Sequence, residues 1–121
     1  MFTENFDKYA CVGDTIHCEA GGFDFTARIE HDADTSPTDF DCYGAEQIAA
    51  WRADAWHYCG IIISAERNGV PIERHAASLW GIELNIIENN DYLAEVANEL
   101  LPEALAEAES RLQDIKRKLA Q

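Results

Sequence analysis

TIHCEAGGFDFTARIE, Thr15–Glu30, decides the fold. Two runs of alternating apolar and polar residues flank Gly21-Gly22, a dipeptide suited to the positive backbone angles of a tight hairpin turn. Pairing across that turn sets Ala20 against Phe23, Cys18 against Phe25 and Ile16 against Ala27, all on one apolar face. The opposite face carries His17, Glu19, Asp24, Thr26, Arg28 and Glu30. One face therefore belongs to a core and the other to water, the pattern of an antiparallel sheet covered on one side.

A second hairpin centres on Asn68-Gly69, the strongest short hairpin signal. Around it the alternation sets Ala65 against Ile72 and places Ile61 and Ile63 on one face with Val70 and Ala76. Ser64, Glu66, Glu73 and His75 fall on the other face. The run YCGIIIS, Tyr58–Ser64, is the most apolar in the chain and reads as a central strand. In its partner, Trp80 and Ile82 extend the apolar pattern.

Between the hairpins lies a polar loop, HDADTSPTDFDCYG, and then AEQIAAWRADAW, where Ile48, Trp51 and Ala55 recur at helical spacing behind Gly44. Trp51 and Trp56, five apart on one helix, cannot both face inward, so one is a candidate exposed anchor for a partner. After the second hairpin, Asn89-Asn90 offer an N-cap and Asp91 suits a first helical turn. Leu93, Val96, Ala97, Leu100, Leu105, Ala108, Leu112, Ile115 and Leu119 hold helical period, so this helix runs to about Leu119. Pro102 either kinks it or opens a second helix, where proline is well tolerated at the first position. The order ββαββα predicts one α+β domain over residues 1–121. Its four-stranded antiparallel sheet packs on a short helix and a long C-terminal helix.

Charge narrows the function. Twenty-three acids against nine bases give a formal charge of −14, and residues 1–110 hold 22 of the acids but only 5 of the bases. Such a balance argues against direct binding of nucleic acid or of an anionic membrane, both of which need a basic footprint. There is no apolar run long enough to span a membrane and no signal pattern at MFTENFDKYA, so a cytoplasmic protein with reduced cysteines is expected.

The acids are not scattered evenly. In DYLAEVANELLPEALAE, Asp91, Glu95, Glu99, Glu103 and Glu107 recur every fourth residue with no lysine or arginine among them. Like charges at this spacing destabilise a helix by about 0.2–0.5 kcal/mol per pair, on the order of 1–2 kcal/mol for the series. Successive members rise about 6 Å, close to the phosphate spacing of a nucleic-acid strand, but the row drifts about 40° per step. Only a break at Pro102 would let its halves realign into a straight ladder. A second cluster, Glu30, Asp32, Asp34, Asp39 and Asp41, lies at the end of the first hairpin and in the loop after it. Asp32, Asp34 and Ser36 start like a calcium loop, but Pro37 holds the glycine position and Tyr43 the closing glutamate position.

Other chemistry has weak support. No CxxC or HxxxH spacing suggests zinc, and no glycine-rich loop suggests phosphate binding, so no metal or cofactor is expected. Cysteine–histidine catalysis could pair His57 or His75 with Cys59 or Cys18, as in a small enzyme using Cys59 with His57, yet no glycine-rich turn offers an oxyanion hole, and a non-enzymatic protein is expected.

The stretches QIAAWRADAWHYCGIIIS, ASLWGIE and DYLAEVANELLPEAL resemble a family of small, uncharacterised proteins of phages, plasmids and other bacterial mobile elements, over roughly residues 40–108. That resemblance transfers no functional residue. By analogy of class it implies an anti-defence protein, an anti-CRISPR inhibitor that sets acidic surface against the basic nucleic-acid channel of a host complex. Asp91, Glu95, Glu99, Glu103 and Glu107 would carry the contact, with Asp32, Asp34, Asp39 and Asp41 second. The competing expectations are a mobile-element assembly protein, homodimeric through the C-terminal helix, and a small Cys/His enzyme.

Overall fold

A computed structural model describes residues 1–87 and 89–121. The strands β1 (Thr15–Ala20), β2 (Phe23–His31), β3 (His57–Arg67) and β4 (Val70–Leu84) form one antiparallel sheet in the order β1-β2-β3-β4. Helix α1 (Ala45–Arg52) lies between the hairpins, and α2 (Asp91–Leu119) follows them. The order is ββαββα, an α+β domain as the two alternating hairpins predict.

The first hairpin has the register read from its sequence, with Ile16 opposite Ala27, Cys18 opposite Phe25 and Ala20 opposite Phe23. Gly21 and Gly22 sit at φ 57° and 85°, a turn whose twist matches the flanking strands. Gly21 lies against the Leu105 side chain of α2, so a Cβ there would collide with it.

The second hairpin departs from strict alternation. Asn68 and Gly69, at φ 51° and 77°, make the expected two-residue turn between Arg67 and Val70. The register then slips near Ala65, which pairs with Glu73 rather than Ile72. Ile72 remains buried while Val70 is exposed, and Glu73 comes within 3.9 Å of Arg111 on α2. A further irregularity between Cys59 and Ile61 contains Gly81 at φ 74°. Ile82 stays in the core, but Trp80 crosses to the other face and lies over Gly60, 46% exposed. Extra residues in a strand reverse the phase of its side chains, which plain alternation does not register.

The core lies between the sheet and α2. Ile16, Phe25, Ala27, Ile29, Cys59, Ile61 and Ile63 meet Leu93, Ala97, Leu101, Ala104 and Ala108. Each fully buried large apolar side chain contributes about 1.5–3 kcal/mol. The four buried alanines of α2 let its backbone lie close to the strands.

The N-terminal segment also contributes to this core. Phe2, Phe6 and Ala10 are buried, and two asparagines hold the strap down through reciprocal bonds. Asn98 accepts from the Phe2 N–H at 2.6 Å and donates to the Phe2 carbonyl at 3.1 Å. Asn85 makes the same pair with Ala10, at 3.0 and 2.9 Å. Asn90 precedes α2 as expected, but its side chain does not cap the helix. It is buried and donates to the carbonyls of Asp7 and Lys8.

α1 is shorter than its pattern suggests. It ends at Arg52, and Ala55 N–H closes the end by donating to the Ala50 carbonyl while Asp54 adopts φ 62°. Trp56 therefore leaves the helix and is buried, its indole N–H donating to the Gln47 carbonyl at 2.9 Å. Trp51 is half-buried. The tryptophan with the most open ring is instead Trp80.

Candidate functional site

α2 runs through Pro102 without a break, so the proline neither ends one helix nor starts another. The realignment that a straight ladder of carboxylates needs does not occur. Asp91, Glu95, Glu99, Glu103 and Glu107 wind about 160° around the axis while rising about 24 Å. All five are exposed, because the band follows the side of α2 opposite Leu93, Ala97, Leu101, Ala104 and Ala108.

None of the five takes part in a salt bridge among the described residues. Arg111 stands four residues after Glu107 and could pair with it, but points to Asp114 at 3.1 Å and Glu73 at 3.9 Å. Asp114 also takes Arg117 and Lys118, at 2.6 and 3.1 Å, and these hydrogen bonds hold its carboxyl below the usual aspartate range. The basic end of α2 thus neutralises its own acid and leaves the band alone.

The loop carboxylates divide. Asp34, Asp39 and Asp41 are exposed, whereas Asp32 is buried. Asp32 accepts from the Thr35 hydroxyl at 2.7 Å, the Gly81 N–H at 2.9 Å and the Asp34 N–H at 2.9 Å. Burial raises its pKa, but these bonds outweigh burial and hold it below the usual aspartate value. Asp32 is occupied in tying the loop to the β4 irregularity and is not presented to a partner. Among the described residues no three metal-ligating side chains converge.

The loop and the start of α2 meet at a groove of about 360 Å³. Phe40 and Cys42, which flank Asp41, line it together with Tyr43, Tyr58, Glu83 and Tyr92. Tyr92 is the residue after Asp91, so the groove adjoins the first turn of the acidic band. The Phe40 ring lies 6.3 Å from Tyr43 and 6.4 Å from Tyr58, centroid to centroid, and Tyr43 lies 5.4 Å from Trp56. Tyr43 donates to the Glu83 carboxylate at 2.7 Å, and Tyr92 donates to the Glu83 carbonyl. Burial, then the neighbouring Tyr58 and Glu83, pushes the Tyr43 phenol up. Tyr92 is pushed to about 12, mainly by burial, with Cys59 and Glu83 adding to it. Among the described residues, the Tyr58 hydroxyl is the one buried side-chain polar atom without a hydrogen-bond partner.

No family model, curated protein or solved structure matches the chain. Its chemistry therefore rests on its own residues. Cys59 is fully buried, and burial together with the Asp32 carboxylate pushes its thiol up to about 12. At neutral pH it is a protonated core side chain, not a thiolate nucleophile. The apolar stripe of α2 through Ala108 is spent on its own sheet, so a dimer formed through that part of the helix would have to use its polar side.

The groove escaped sequence reading because its rings come from three separate places in the chain: the Phe40–Tyr43 loop, Tyr58 and Tyr92. Tyr58 alternates with Cys59 and so faces away from the α2 core, and Phe40 and Tyr43 are large apolar rings in an otherwise polar loop. Those are the only local signals for it.

Proposed function

We propose that this protein is a non-enzymatic docking protein that sets its acidic surface against the basic, nucleic-acid-binding surface of a partner complex and blocks it. One observation carries the reading: five exposed carboxylates wind along α2 with no ion pair among the described residues. Lysine at alternate positions of that band would stabilise the helix, so its absence is better explained by binding than by folding. Complementary fields give fast association that weakens as salt rises.

The resemblance to mobile-element proteins makes a CRISPR surveillance complex the foremost target, with the chain acting as an anti-CRISPR protein inside a bacterial cell. The winding of the band favours competition by charge over imitation of a straight phosphate strand. Asp91, Glu95, Glu99, Glu103 and Glu107 form the main contact, and the exposed loop carboxylates Asp34, Asp39 and Asp41 are second to it. Asp32 holds that loop in shape. The test is retention of a purified CRISPR surveillance complex on the immobilised chain in a salt series. Retention that falls as salt rises supports the reading, and no retention at low salt removes this target.

A further inference from the structure

The geometry points to a second, more specific contact: the groove between the Phe40 loop and the start of α2 receives an arginine side chain of the basic partner. This rests on the docking reading and names one chemical anchor within it. Three features select the occupant. The walls are aromatic, with Phe40 half exposed and Tyr43, Tyr58 and Tyr92 beside it. The Glu83 carboxylate accepts from Tyr43 but has no basic partner among the described residues. The Tyr58 hydroxyl is buried and makes no hydrogen bond of normal geometry, though the Tyr43 phenol lies near it, so a ligand donor can complete its bonding.

An anion would be repelled by Glu83 and by the flanking Asp39 and Asp41. A neutral apolar group would leave the bonding of the Tyr58 hydroxyl incomplete. A guanidinium satisfies all three features: its plane stacks on aromatic rings, its positive charge meets the carboxylate, and its fixed fork of N–H donors reaches more than one acceptor. Tyr58 lines the groove beside Phe40, the two ring centroids lying 6.4 Å apart. The groove also adjoins Asp91, so an arginine seated there lies at the end of the acidic band.

The test is a titration of the intact, isotopically labelled chain with a blocked arginine tripeptide, acetyl-Gly-Arg-Gly-amide, followed by amide NMR. Its citrulline counterpart supplies the same shape without charge. Saturable shifts are expected at Phe40, Cys42, Gly81 and Glu83, absent with citrulline. Glu83→Gln should weaken arginine binding at least tenfold. Phe40→Ala alters a half-exposed ring and should weaken binding several-fold while leaving the spectrum of the folded core unchanged.

Shifts confined to residues 95–107, equal binding of citrulline, or unchanged affinity in both variants would overturn the assignment. Tighter binding of the matching lysine peptide would overturn arginine as the occupant. The probe needs no partner, so failure of the groove leaves docking through α2 standing. Conversely, the titration still reads the groove if the α2 band proves irrelevant.

Discussion

Gly60 has no room for a methyl group, because the Trp80 ring lies across it. Gly60→Ala must displace that ring or shift β3, and overpacking of this kind costs about 1–3 kcal/mol. Thermal unfolding should report the loss, with a change in tryptophan emission as Trp80 moves. Asp32 carries a different load. Asp32→Asn keeps the shape but turns one acceptor atom into a donor facing groups that themselves donate, at a cost of about 1–3 kcal/mol in denaturant unfolding. Its pH behaviour follows from its lowered pKa. The carboxylate stabilises the fold above its unfolded value of roughly 4, and that contribution is lost as pH falls through the lower folded value. The Asn variant should therefore show a shallower loss of stability on acidification. From sequence, Asp32 and Asp34 look like equal members of one acidic cluster. Nothing local distinguishes them, since the groups that bury Asp32 include Gly81, which is distant in sequence.

At the scale of elements, hairpins were legible because their information is local. Gly21-Gly22 and Asn68-Gly69 specify their turns, and alternation specifies the faces until an extra residue enters β4. The N-terminal strap was not legible, because Phe2, Phe6 and Ala10 stand four apart as on a helix, yet the segment forms no regular element and is held by Asn98, Asn85 and Asn90, all distant in sequence. α2 was legible in its limits but not in its treatment of Pro102, which packing against the sheet holds within one helix. The proline removes a backbone bond there, and Pro102→Ala should stabilise the chain by up to about 3 kcal/mol in chemical unfolding. The acidic band has its own signature. Glu99→Lys replaces two like-charge pairs by two attractive ones and should raise stability by roughly 1–2 kcal/mol. A substitution that stabilises the fold while weakening docking separates a binding surface from a merely solvated one.

At the scale of the whole molecule, a charge of −14 opposes compaction while the core and strap oppose that repulsion. Added salt screens exposed charges, so unfolding midpoints should rise with ionic strength while association with a basic partner weakens. On the proposed function, stability and docking should respond to salt in opposite directions. The architecture sends the apolar side of α2 into the sheet and leaves the acidic side to solvent, which makes the band a feature of the surface and not of the core. The most direct test joins Glu95→Lys, Glu99→Lys and Glu103→Lys in one chain and measures its inhibition of the target complex beside its thermal unfolding. Loss of inhibition with unfolding unchanged or shifted upward is the expected result. Full inhibition by that folded triple variant would contradict the account.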